Sequence, residues 1–91
     1  MKTLTVVVYG KVQGVSYRAS TQKKAEDLGL SGTVKNESDG TVLIRVTGTD
    51  PVLNEFLAWC KRGPERAEVE KVVVEESEPR VFPDFKILWN G

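Results

Sequence analysis

The residues of this chain best suited to chemistry are a glycine-punctuated loop and the arginine that ends it. The stretch Tyr9-Gly10-Lys11-Val12-Gln13-Gly14-Val15-Ser16-Tyr17-Arg18 leaves an apolar run and enters a helical one. Gly14 can take backbone conformations that a Cβ resists, so the amides after it can turn towards one point. The start of a helix leaves its first N–H groups unpaired, which makes that point a seat for phosphate. Arg18 adds a permanent charge and a planar fork that matches two phosphate oxygens. Read alone, a G-x-x-x-R pattern would be an ordinary strand-to-helix loop with a solvated arginine. Asn36 is the second residue of interest. It stands where an extended run meets a turn, and on residue type alone its amide satisfies local backbone groups.

Composition restricts what else could act. The chain has no histidine and one cysteine, so neither a zinc site nor a Cys-His or Ser-His pair can be built, and no metal or cofactor is expected. Lys plus Arg and Asp plus Glu number 13 each. No overall field draws in nucleic acid or an anionic membrane, and any preference for anions must be local, a pocket rather than a patch. The lone Cys60 cannot form an intrachain disulfide and the N-terminus lacks a long apolar segment, so a cytoplasmic protein without membrane contact is expected. A chain of 91 residues with 40% hydrophobic content reads as one domain over 1–91, able to bury roughly 60–65% of its unfolded surface.

The elements that must position the loop follow from periodicity. Leu4 to Tyr9 is β-branched and apolar on both alternating faces, which suits a strand in the middle of a sheet. Tyr17, Thr21, Ala25 and Leu28 form the apolar stripe of a helix ended by Gly29, with Leu30 reaching back to Ala25. Ser31 to Asn36 and Thr41 to Thr47 pair as a hairpin through Glu37-Ser38-Asp39-Gly40. In its second strand Val42, Ile44 and Val46 share the dry face, and Thr41, Arg45 and Thr47 the wetter one. Asp50 and Pro51 read as N-cap and first residue of a second helix with Leu53, Phe56, Leu57 and Cys60 inward, stopped by Gly63-Pro64. Cys60 on that stripe is a core thiol. Glu68 to Glu76 is a charged edge strand, and Phe85, Ile87 and Trp89 alternate as a short last one, with Trp59 and Trp89 read as core and edge packing. The order predicts an α+β, ferredoxin-like β-α-β-β-α-β sandwich: an antiparallel sheet, two helices on one face and a short extra C-terminal strand.

Gly10 to Arg18, then Leu28-Gly29-Leu30-Ser31-Gly32-Thr33-Val34-Lys35-Asn36 with Asp39-Gly40, then Trp59 to Val69 and Phe85-Lys86-Ile87, closely resemble the acylphosphatase family. The resemblance spans almost the whole chain and implies the same ferredoxin-like architecture. It further implies hydrolysis of acyl phosphates to carboxylate and inorganic phosphate, with which the missing histidine and metal ligands are compatible; a metal-independent monomer is expected. Arg18 would bind the substrate phosphate, and Asn36 would position the attacking water. The backbone amides of Gly14, Val15, Ser16, Tyr17 and Arg18 would complete the phosphate cradle. Two positions depart from the family pattern. Tyr17 stands where phenylalanine is commoner, and Thr33 where an aromatic is usual, a loss expected to loosen packing beside Asn36 or open the site to bulkier acyl groups. Ser16 falls where the family varies, its hydroxyl expected to do no more than cap the helix.

Rival readings come from other classes. Sheets of this kind that bind RNA stack bases on strand aromatics, and Thr41 to Thr47 contains none. The stronger rival is a non-catalytic phosphate- or anion-binding ferredoxin-like module that kept the cradle.

Overall fold

The computed structural model describes residues 1–89. The chain runs as β1 (Lys2–Lys11), α1 (Tyr17–Asp27), β2 (Ser31–Asn36), β3 (Val42–Gly48), α2 (Asp50–Arg62), β4 (Glu68–Ser77) and β5 (Phe85–Leu88). The strands form one sheet in the order β4-β1-β3-β2-β5. The β1–β3, β1–β4 and β2–β3 pairs are antiparallel, while β5 adds to the outer side of β2 in parallel. This is the expected ferredoxin-like sandwich with its extra C-terminal strand. β1 is interior, but β3 rather than β1 lies in the middle, because β5 widens the sheet on the β2 side.

Alternation decides which face is dry. Val6, Val8, Val34, Val42, Ile44 and Val46 are fully buried and meet Ala25, Leu53, Phe56 and Cys60 from the helices. Each large aliphatic or aromatic side chain buried this way contributes about 1.5–3 kcal/mol. The other face is wetter at Arg45 but not at Thr41 or Thr47. Thr47 Oγ1 donates to the carbonyl of Arg80 at 2.7 Å, Arg80 N–H donates to Thr3 Oγ1 at 2.9 Å, and the two threonine hydroxyls are 2.7 Å apart. The β4–β5 connection thus closes over that end of the sheet and satisfies the hydroxyls it buries.

Helix ends fix how the elements meet. Beyond α1, Leu30 N–H bonds to Ala25 O at 2.9 Å and Gly29 N–H to Glu26 O at 3.0 Å, the paired bonds of a Schellman motif. α2 begins one residue earlier than its sequence suggests. Thr49 is the N-cap and Asp50 lies in the first turn, where its carboxylate pairs with Lys2 Nζ at 2.8 Å rather than capping. At the far end Gly63, with φ 68°, receives the ring of Tyr17, and a Cβ there would lie 2.8 Å from Tyr17 Cε2. The Tyr17 hydroxyl donates to Cys60 O at 2.7 Å, which occupies a last-turn carbonyl that α2 itself leaves open.

Candidate active site

The pairing of β1 with β4 is interrupted just before the loop begins. Tyr9 pairs with Lys71 and Gly10 with Val69, so β4 contributes one residue more than β1 at this point. Such a bulge puts the extra residue, Glu70, in β4 and increases the local twist of the pair where the loop departs. Next, Gly14 has φ 73° and Ser16 φ 63°, and Ser16 is the one non-glycine residue with positive φ among the described residues. Val15 between them therefore keeps a negative φ, and backbone that alternates in this way turns successive N–H groups into one concavity. A Cβ on Gly14 would touch nothing within 4 Å, so the glycine is required by its dihedral and not by crowding. Among the described residues, no N–H from Gly14 to Ala19 is used in a turn or cap bond to a backbone carbonyl.

Ser16 precedes α1 as its N-cap, but its side chain makes no capping bond. The expected hydroxyl cap is corrected here, since a left-handed residue does not present its side chain as the extended N-cap conformation does. Val15 turns into the core and Tyr17 is buried beneath the loop. Arg18, one residue further along α1, is half-buried.

Gly14, Ser16, Tyr17, Arg18 and Asn36 line one cleft of about 190 Å³, completed by Val12, Ala19, Ile87 and Trp89. Val15 is not part of the lining. Among the described residues Arg18 is the charged residue of that lining, and no acidic side chain shares the lining with it. A chain of zero net charge thus carries a local cationic pocket, and its apolar wall strengthens every polar contact made inside. Asn36 closes β2 and its Oδ1 is shielded from solvent. Among the described residues no group of His, Cys, Asp or Glu could hold a metal ion.

Thr33 does not reach this site. It pairs with Arg45 on β3 and Lys86 on β5, and by alternation it faces away from Val34 and Asn36. The expected opening of the site at this position is corrected. Two lining or bracing residues escape sequence reasoning. Trp89 lies beyond the end of β5, is 73% exposed, and its ring centroid is 4.4 Å from Arg18 Cζ. This indole stacks on the guanidinium rather than packing a sheet edge. Gln13 Nε2 donates to Glu37 O at 2.8 Å and Thr41 O at 3.0 Å. The alternation Phe85, Ile87, Trp89 puts the tryptophan on the same side as Ile87, a usable signal, whereas nothing local points from Gln13 to carbonyls more than twenty positions away. Cys60 is the core thiol expected, fully buried, with burial pushing its thiol up to about 12.

The acylphosphatase family model matches residues 4–87. The chain belongs to the acylphosphatase family. It is 48% identical over 82 residues to an acylphosphatase of Marinobacter nauticus, a match covering 89% of each chain. With that of Methylococcus capsulatus it shares 44% over 89 residues, 97% of each. The crystal structure of acylphosphatase from Bacillus subtilis superposes with a TM-score of 0.94 at 34% identity, covering 97% of this chain and 99% of that one. An acylphosphatase is a hydrolase acting on acid anhydrides, and the acylphosphatase architecture here holds the loop, Arg18 and Asn36 around one cleft.

Proposed function

We propose that this chain hydrolyses the carboxyl-phosphate bond of acyl phosphates, with Arg18 and the amides of Gly14 to Arg18 holding the phosphoryl group and Asn36 orienting the attacking water. The observation that carries the reading is the meeting of Arg18, the positive-φ loop and Asn36 in one cleft without an acidic wall. Oxygen of water attacks phosphorus in line, the bond from phosphorus to the acyl oxygen breaks, and a carboxylate leaves with that electron pair. The leaving group is stable as formed, so acid catalysis is little needed. What remains is alignment and stabilisation of charge on the equatorial oxygens, the work of fixed N–H donors and a guanidinium. A neutral amide orients water without repelling the incoming anion. Among the described residues no carboxylate or histidine lines the cleft, and in this reading a phosphate oxygen of the substrate itself takes the proton from water.

The reading takes residues 1–91 as one catalytic unit acting as a cytoplasmic monomer, without nucleic acid, membrane or metal. The buried free thiol of Cys60 is in keeping with a reducing compartment, and no helix among the described residues is long and apolar enough to cross a membrane. The test is turnover of benzoyl phosphate by wild type and Arg18→Ala. Loss of the guanidinium should lower kcat/KM by at least about 10²-fold and weaken inhibition by inorganic phosphate, while Arg18→Lys recovers little because a point charge cannot reproduce the fork. Phosphate binding by wild type without turnover would instead identify the non-catalytic anion-binding module.

A further inference from the structure

The two halves of the site sit on strands that do not touch. The loop follows β1 and Asn36 ends β2, and the sheet order places β3 between them. The β-ladder therefore relates the loop to Asn36 only through an intervening strand, yet in-line attack needs the water and the phosphoryl group set against each other to a fraction of an ångström. Gln13 spans that gap. Its carboxamide nitrogen donates to Glu37 O at 2.8 Å and to Thr41 O at 3.0 Å. Thr41 O also accepts from Glu37 N–H at 2.9 Å, so the carboxamide joins the bond that closes the β2–β3 turn. Gln13 immediately precedes Gly14, and Glu37 immediately follows Asn36. Both N–H groups of one planar amide are thus spent on locking the residue before the cradle to the residue after Asn36, with Gln13 itself half-buried.

We propose that Gln13 is a positioning residue, fixing the separation between the phosphate loop and Asn36 and thereby the alignment of attacking water with phosphorus. This rests on the hydrolytic reading of the site. It assigns Gln13 no contact with substrate, so its loss acts through the geometry of its two neighbours.

The experiment compares Gln13→Met, which keeps reach and removes both donors, and Gln13→Ala, each alone and combined with Asn36→Ala, with circular dichroism to certify folding. The readouts are kcat and KM for benzoyl phosphate and the inhibition constant of inorganic phosphate. On the wild-type background kcat should fall about 10- to 100-fold, with phosphate inhibition close to wild type because the cradle is intact. On the Asn36→Ala background the same substitution should cost little more, since the alignment it protects is already lost. A purely structural role would lower both backgrounds alike. Full kcat in Gln13→Met, equal losses on the two backgrounds, or loss of phosphate affinity in step with kcat would each overturn the proposal. Failure of the parent reading looks different: Asn36→Ala alone would then retain the wild-type rate, and the positioning role would fall with it.

Discussion

At the residue scale, Arg18 and Asn36 differ in what they would offer a bound anion. A guanidinium is attractive to phosphate in the ground state and in the transition state, whereas an amide that holds water matters only once attack begins. Asn36→Ala is therefore expected to lower kcat strongly while inorganic phosphate inhibits as in wild type, measured by steady-state kinetics with phosphate as competitor. Asn36→Asp keeps the size and adds a negative charge beside an anionic substrate, so it should be at least as damaging and should also raise KM. Parallel loss of phosphate affinity and kcat in Asn36→Ala would make the residue a substrate ligand. Tyr17 shows a different economy of atoms. Its ring is fully buried against Gly63 while its hydroxyl ends on Cys60 O, so a residue that lines the cleft also closes the C-terminus of α2. Burial raises its phenol far above the ordinary tyrosine value, and it stays a donor throughout the working pH range.

At the scale of elements, the β2–β3 turn carries a carboxylate whose bonds respond to pH. Asp39 Oδ1 accepts from the Thr41 hydroxyl at 2.7 Å and from Thr41 N–H at 3.0 Å. These bonds, the hydroxyl's first, hold the Asp39 carboxyl below its ordinary value. The unfolded chain then takes up the proton before the folded one. The contribution to stability is complete above the ordinary aspartate range and is lost as pH falls through the folded-state value. Thermal unfolding of wild type and Asp39→Asn should accordingly show wild type more stable at neutral pH and the gap closing in acid. A gap constant with pH would remove the turn from the acid response. This same hairpin shows what could be read without coordinates. Asp39-Gly40 and the alternation of Val42, Ile44 and Val46 are local signals and led to the right strands, as Gly29 led to the end of α1. The burial of Thr47, the stacking of Trp89 on Arg18 and the reach of Gln13 all depend on segments far apart in sequence. No window of neighbouring residues contains them. The Asp50 misassignment has a similar origin, because the attraction of Lys2, far away along the chain, decides where that carboxylate points.

At the scale of the molecule, equal numbers of acidic and basic side chains leave any preference for anions to local features such as the cleft, and the two tryptophans are divided between that cleft and the edge of the core. Trp59 packs with ring centroids 5.6 Å from Tyr17 and 6.5 Å from Phe56. Trp89 stands at the mouth, mostly open to water and resting on the guanidinium of Arg18. The indole at the mouth has a cation against one face, and an anion that engages the same guanidinium changes the field at that face, whereas Trp59 meets the cleft only through the ring of Tyr17. Tryptophan emission therefore splits into two channels, one that tracks occupancy of the cleft and one that tracks integrity of the core. The protein carries its own binding sensor and its own internal standard, and Trp89→Phe should silence the first under phosphate titration while leaving the second to report unfolding.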